Sequence, residues 1–276
     1  MHSPAVRPTS AGATDPVAGQ PPVLAPRVLR RPLIRQRGLG ITRRLAEAGA
    51  SVLIADINRE EAAAAAKELC GAGLRVESIG ADVGDEPDVQ EVVDTAVRLF
   101  GGVDILVNNP GIYPNVPLAG LTAATFDRVI AVNLRGVYLL TQRVAGQQKA
   151  QGRGGNIINV TSIDALHPSM VGLAAYDATK HGVWGFTKNV ALELAPYGIQ
   201  VNAVAPGGIT TPGTQVSTGA GGDLDPAMIE AFLATLPMRR MGDPDEIGKV
   251  VLFLASDMAS YMTGSQVVVD GGALLR

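Results

Sequence analysis

The sequence contains a single cysteine, Cys70, so no disulfide can form within the chain. It sits in an alanine-rich helical stretch, where a small packing residue is expected, and it fits a reducing compartment. No apolar run approaches the roughly 20 residues of a membrane span. The first 26 residues lack the continuous apolar core of a signal peptide, because prolines interrupt them throughout. A cytoplasmic location is therefore expected. Basic charge is not in excess: the formal net charge is −3, which argues against nucleic acid or an anionic membrane surface as the main partner. There is no internal repeat, no break marking a second domain, and no metal site is assigned.

What is present is enough apolar material for one large α/β domain: 276 residues, of which 46% are hydrophobic. Residues 1–26 are rich in Pro, Ala, Gly, Ser and Thr, show neither the helical nor the strand period, and are expected to be a disordered tail. The remainder, 27–276, reads as a single domain.

Its chemistry centres on Ser162 to Lys180. Asn156 to Val160 reads as a short buried strand that delivers Ser162 at its C-terminal end, where open α/β sheets bind ligands. Tyr176 and Lys180 are one helical turn apart and share a face. A phenol, with a reference pKa of about 10, is a poor acid near neutrality, and a neighbouring ammonium favours its phenolate. Such a pair can exchange a proton with a substrate oxygen while another group moves a hydride. Alone, the pair could equally be an aromatic and a solvated lysine on a surface helix. Downstream, Val201 to Ala205 is a second apolar strand, ending in Pro206-Gly-Gly-Ile-Thr-Thr211.

Taken together, strand–Ser162, Tyr176-x-x-x-Lys180 and the strand ending in Pro206-Gly207 resemble the short-chain dehydrogenase/reductase family, in particular its 3-oxoacyl-carrier-protein reductase-like and secondary-alcohol dehydrogenase-like members. The resemblance covers about residues 38–274. It implies a doubly wound Rossmann-like α/β domain with a parallel seven-stranded sheet, order 3-2-1-4-5-6-7. It also implies an enzyme that uses a nicotinamide cofactor on a secondary alcohol or ketone. Tyr176 would be the general acid/base, Ser162 would hydrogen-bond the substrate oxygen, and Lys180 would hold the nicotinamide ribose. Asn133, in Val132-Asn133-Leu134, would hold a helical irregularity and a proton-relay water. The long helix from Leu121 to about Gln148 is otherwise expected to be continuous.

For the cofactor, Ser51 to Asp56 reads as a buried strand ending in an acid that can accept ribose hydroxyls and repel a 2′-phosphate. Asp56 could also be simply the cap of the helix that follows. NAD is expected rather than NADP, although Arg35 and Arg37 nearby could attract a phosphate. By resemblance, Ile57 joins Asp56 in the adenosine site. Asp82 and Val83 would touch the adenine edge, though turn chemistry alone also explains Asp82. Asn109 and Gly111 belong to an Asn-Asn-Pro-Gly turn in which Pro110 replaces the family's Ala and removes one N–H donor. Near the carboxamide and phosphates, Pro206, Gly207, Ile209 and Thr211 would contribute.

The resemblance fails where a Rossmann unit should open. The family pattern there is a valine-rich strand and Thr-Gly-x-x-x-Gly-x-Gly, whereas this chain has Arg27 to Gly40 with Arg30, Arg31 and Pro32 in the strand's place. Unpaired arginines do not suit the centre of a sheet, and Pro32 cannot donate to a ladder, so the central strand is expected to be compromised. Matching Gly38 and Gly40 to the last two glycines leaves the next helix two residues short. Taking Gly38 as the third glycine restores the distance to Asp56 but puts Pro32 and Gln36 at the first two; this alignment is preferred, because a helix is harder to shorten than a loop is to alter. A shifted reading frame or misassigned start would leave so sharp a break, and so would a genuine lesion. It keeps a rival open: a structural or partner subunit with the fold and no turnover.

Small residues Ala174, Ala178, Gly182 and Gly185 along the Tyr176 helix would permit a second helix to approach, and the family uses this face to form dimers and tetramers. Internal packing explains some of them equally well. Residues 212–236 are expected to form a substrate lid. His167 and His181 are given no role.

Overall fold

A computed structural model describes residues 27–32, 36–210, 230 and 233–275. Seven strands form one sheet: β1 Arg27–Pro32, β2 Ser51–Asp56, β3 Val76–Gly80, β4 Ile105–Asn109, β5 Gly155–Val160, β6 Ile199–Pro206 and β7 Gln266–Val269. Their order is β3-β2-β1-β4-β5-β6-β7, and every neighbouring pair is parallel. Parallel pairing demands a crossover between strands, and helices α1 Gln36–Glu47, α2 Arg59–Gly71, α3 Glu86–Phe100, α4 Ala123–Ile130, α5 Gly136–Gln151, α6 Ala174–Leu194 and α7 Pro244–Leu254 lie along the connections.

The inner strand β2 is apolar on both faces because both are covered. Along β2 all six residues are buried, and alternate side chains enter different cores. Val52 and Ile54 join Ile41 and Leu45 of α1 with Ile247, Val251 and Leu254 of α7. Leu53 and Ala55 face Val89 and Val92 of α3 with Leu140 and Val144 of α5. The helices start where side chains satisfy their first N–H groups. Asn58 accepts from Glu61 N (3.2 Å), Thr122 from Thr125 N (3.2 Å), and Asp243 forms a capping box with Glu246 ahead of Pro244. Gly101, at φ 76°, closes α3 in the left-handed region.

The strand expected to be compromised by its arginines and Pro32 is nevertheless present. β1 lies at the centre of the sheet, with Val28 to Arg30 in register with both β2 and β4. A ladder is made by backbone groups, which any residue but proline supplies in full. Pro32 is the last residue of the strand, a position at which its missing N–H is tolerated. The helix expected from Ile41 begins at Gln36. The proposed tail 1–26 and Thr211 lie outside the described residues, as does most of the expected lid.

The helix expected over 121–148 is interrupted where the resemblance placed an irregularity. Between α4 and α5, Ala131–Arg135 forms a π-helical turn, and Asn133 is in it.

Candidate active site

The carboxyl ends of the strands share one edge of the sheet, and the residues singled out from sequence collect there. β5 carries the chain to Ser162, whose Oγ caps the short helical turn Ile163–Ala165, and that turn packs against α6. Tyr176 lies in the first turn of α6 and is 7% exposed; Lys180, one turn on, is 2% exposed. A buried ammonium must be solvated by protein. Lys180 Nζ donates to the carbonyls of Val160 (2.9 Å) and Pro110 (3.1 Å), fastening α6 to the ends of β5 and β4. The Nζ stands 5.5 Å from the centroid of the Tyr176 ring, and Tyr113 packs edge-on against that ring at 5.8 Å.

Asn133 is fully buried. Its Oδ1 accepts from Ile112 N (2.9 Å), while Nδ2 donates to Ile112 O (2.8 Å) and to Thr179 Oγ1 (3.3 Å). Thr179 in turn donates to the carbonyl of Tyr176 (2.6 Å). Asn133 thus ties the loop after β4 to the Tyr176 helix. The π turn widens the helix and re-aims this side chain, as such bulges do at functional sites.

Ser162 Oγ donates to Asp164 Oδ2 (2.6 Å) and accepts from Asp164 N (3.2 Å). Asp164, 6% exposed, also accepts from Ser169 N at 3.0 Å. Next to Tyr176, burial and then the charge of Asp164 hold the Asp177 carboxyl above the usual carboxylate range, His181 opposing. His167 and His181 are both exposed; His181 Nδ1 lies 3.0 Å from the Asp177 carbonyl. Asp164, Tyr113 and Thr179 were not singled out from sequence. A serine followed at two residues by Asp is a recognisable turn-capping pattern and could have drawn attention to Asp164. Tyr113 carries no periodic signal.

On the other side of the sheet's midline a cleft is lined by Asp56, Ile57, Asp82, Val83, Pro110, Ile112, Val132 and Arg128, among others. Asp56 is 2% exposed, and its Oδ1 accepts from Asn58 N (2.8 Å), so it serves the local turn as well as facing the cleft. Ile57 is 56% exposed at the rim. Asp82 pairs with Arg128 (3.1 Å) and accepts from Gly84 N (2.8 Å). An apolar slot with carboxylates at its rim fits the adenosine half of a dinucleotide. Asn109 ends β4, and Gly111 has open space where a side chain would stand.

One of the singled-out glycines, Gly207, has a packing reason. A Cβ on Gly207 would lie 2.7 Å from Cβ of Asp270, so the closing turn presses directly on the Pro206-Gly207 backbone. Gly38 is buried in the first turn of α1, and its carbonyl accepts from Thr42 Oγ1 (3.1 Å). Ile209, 3% exposed, bridges to Gly242. Among the described residues no group of three or more His, Cys, Asp or Glu could hold a metal, and no helix is long and apolar enough to cross a membrane.

Known proteins resemble this chain in sequence and fold. A family profile described as Enoyl-(Acyl carrier protein) reductase matches residues 36–273. The 3-oxoacyl-[acyl-carrier-protein] reductase of Thermotoga maritima is 39% identical over 238 residues, covering 86% of this chain and 93% of that one. The 3beta-hydroxysteroid dehydrogenase 2 of Eggerthella lenta is 38% identical over 236 residues, 85% and 89% of the respective chains. Among solved structures, a gluconate 5-dehydrogenase from Burkholderia cenocepacia, in complex with NADP and tartrate, superposes with a TM-score of 0.83 at 33% identity, covering 91% of this chain and 96% of its own. With a profile over most of its length and such relatives, the chain belongs to the short-chain dehydrogenase/reductase family of oxidoreductases, with their Rossmann-like α/β fold.

Proposed function

We propose that the protein transfers a hydride between NAD and a secondary alcohol or ketone. The observation that carries this reading is the gathering of Tyr176, Lys180, Ser162 and Asn133, from β5, α6 and the π turn, at one edge of the sheet. The nicotinamide supplies the hydride donor or acceptor; the chain's own work is binding, orientation and the proton. Tyr176 Oη gives a proton to, or takes one from, the reacting oxygen. The positive charge of Lys180 favours negative charge on that phenol oxygen, and the two carbonyls that hold its Nζ fix where the charge sits. Ser162 orients the substrate oxygen, and Asn133 anchors the route by which the proton reaches solvent. Burial of Tyr176 and Lys180 keeps bulk water from competing with the transfer.

The cleft between Asp56 and Asp82 would hold the adenosine half, with Asp56 placing a carboxylate where a 2′-phosphate would be repelled and ribose hydroxyls accepted. Exposed Ala174, Ala178 and Gly185 leave α6 open to a second copy, whereas a Cβ on Gly182 would already lie 3.2 Å from the Leu134 side chain; association through α6 into a dimer or tetramer is part of this proposal. The relatives named above are enzymes, and the rival reading as a partner subunit without turnover is not favoured.

The test is Tyr176→Phe, assayed with NAD and a panel of secondary alcohols. Turnover should fall by at least about 100-fold, the scale of general acid–base catalysis, while cofactor binding by fluorescence titration stays near wild type. Retention of more than a few per cent of activity would refute the assignment.

A further inference from the structure

Two loops flank the Tyr176–Lys180 pair: 110–116, which leaves β4, and 166–173, which leads into α6. They are joined edge to edge. Val116 N donates to the Gly172 carbonyl (2.9 Å), and Asn115 Nδ2 donates to the Val171 carbonyl (3.0 Å). The same Nδ2 lies 3.4 Å from the sulfur of Met170. Gly172 has φ +93°, and a Cβ on it would lie 2.6 Å from Asn115 Oδ1, so a side chain there would be strained and would displace Asn115. Tyr113, on the first loop, meets the Tyr176 ring with 5.8 Å between centroids, which brings the seam beside the reacting phenol.

What this rim shows to solvent is mostly hydrocarbon. Met170 is 57% exposed and Val171 is 83% exposed. No residue from Pro110 to Leu121 is charged, and from Leu166 to Ala175 the sole ionisable side chain is His167. Asn115, the polar side chain at the seam, is used in holding the loops together. A carboxylate or phosphate laid along these loops would lose hydration and gain no cation, and a polyol would give up hydrogen bonds to water without replacing them. An apolar patch beside a reaction centre marks a ligand groove.

We propose that the substrate is an uncharged secondary alcohol or ketone whose hydrocarbon part lies along this rim, and that Met170 is a specificity-determining residue that selects for it. This rests on the hydride-transfer reading above. The reacting carbon sits by Tyr176, and each methylene laid on the rim leaves water. An unbranched thioether suits the task, because it adapts to hydrocarbon of varied outline.

Calorimetric titration with 2-butanol, 2-hexanol and 2-octanol in the presence of NADH measures binding in a combination that cannot react, and kcat/KM with NAD is measured beside it. Each added methylene should lower Kd by about twofold or more, since an open rim buries less than a closed pocket, and kcat/KM should rise in step. Sorbitol and 3-hydroxybutyrate, a polyol and an anion, should bind at least about tenfold more weakly than 2-hexanol. In Met170→Gln the side chain keeps its length, and its Oε1 offers Asn115 Nδ2 an acceptor in place of the sulfur. There the dependence on chain length should flatten, with 2-butanol, which has least hydrocarbon to cover, changing least. Met170→Leu should keep the dependence. A merely structural role for Met170 would shift all three alcohols by a common factor.

A flat dependence in wild type, a dependence that Met170→Gln leaves unchanged, or tighter binding of the polyol or the anion overturns the inference. Thermal melts establish that the variants fold; if Met170→Gln does not, Val171→Asn makes the same test one residue along, where the carbonyl at the seam is kept. Failure of the underlying reading has a different signature: wild type binds the alcohols with the expected dependence and turns over none of them.

Discussion

Lys180 shows how one residue can carry two obligations. Its ammonium is removed from water and held by two backbone carbonyls, and any role at the cofactor's ribose depends on that fixed position. Lys180→Ala should therefore lower both turnover and NAD affinity, in contrast to Tyr176→Phe, which should spare affinity; fluorescence titration beside steady-state assays separates the two. Asp56 makes the complementary prediction for the adenosine side. Wild type should prefer NAD to NADP, and Asp56→Ala should narrow the preference by removing the charge that faces a 2′-phosphate. A wild type that favours NADP would sink this reading. These residues could be found in the sequence because each marks the end of a strand or a fixed helical spacing. Asp164 could not be ranked in the same way: its significance lies in a contact to Ser162 inside a three-residue turn, and nothing periodic marks it.

At the scale of elements, α1 and α7 are in backbone contact. A Cβ on Gly248 would lie 2.7 Å from the carbonyl oxygen of Gly40, and one on Gly40 would lie 2.6 Å from that of Pro244. Gly248→Ala should lower the melting temperature by a few degrees. Its strain, of about 1–3 kcal/mol, exceeds the roughly 1 kcal/mol that alanine gains in helix propensity. A rise in melting temperature would mean the helices do not approach so closely. The same pair of helices is joined by Arg44, whose Nε and Nη2 grip both oxygens of Asp245. Hydrogen bonding to Arg44 holds the Asp245 carboxyl down at about 2, below its usual 3.8. A folded pKa below the unfolded one stabilises the protein above pH 3.8, and that contribution disappears as pH falls toward 2. Denaturant unfolding at stepped pH should accordingly show wild type and Asp245→Asn converging over that window. The helices themselves were legible from caps and periodicity. The irregularity at Asn133 was expected only from the family resemblance, since one extra residue in a helical stretch leaves the apolar pattern on either side intact.

For the molecule as a whole, the sheet depends on its least conventional strand. The sequence between Arg27 and Pro32 does not look like a central strand, yet β1 joins β2 to β4. Side-chain pattern is what a sequence displays, whereas a parallel ladder is satisfied by backbone groups, and β1 became visible only through its neighbours. The segment that follows it should still be a poor phosphate cradle, because the preferred alignment with the family pattern puts Pro32 and Gln36 at its first two glycines, where a backbone must approach a pyrophosphate. A version with Thr-Gly-x-x-x-Gly-x-Gly restored should bind NAD at least about tenfold more tightly, or about 1.4 kcal/mol. Calorimetric titration of both proteins decides it, and equal affinities would mean that this segment cradles the phosphates by other means.

The place of β1 in the sheet also sets an order of events during synthesis. Among the described strands β1 is made first, and it pairs on one side with β2 and on the other with β4, which ends at Asn109. Until the ribosome has released the chain beyond that residue, one edge of β1 has no partner, and an unpaired edge is a template for other chains. The nascent protein therefore carries an open, aggregation-prone edge until β4 has been made, and a chaperone that shields extended backbone would find its substrate there.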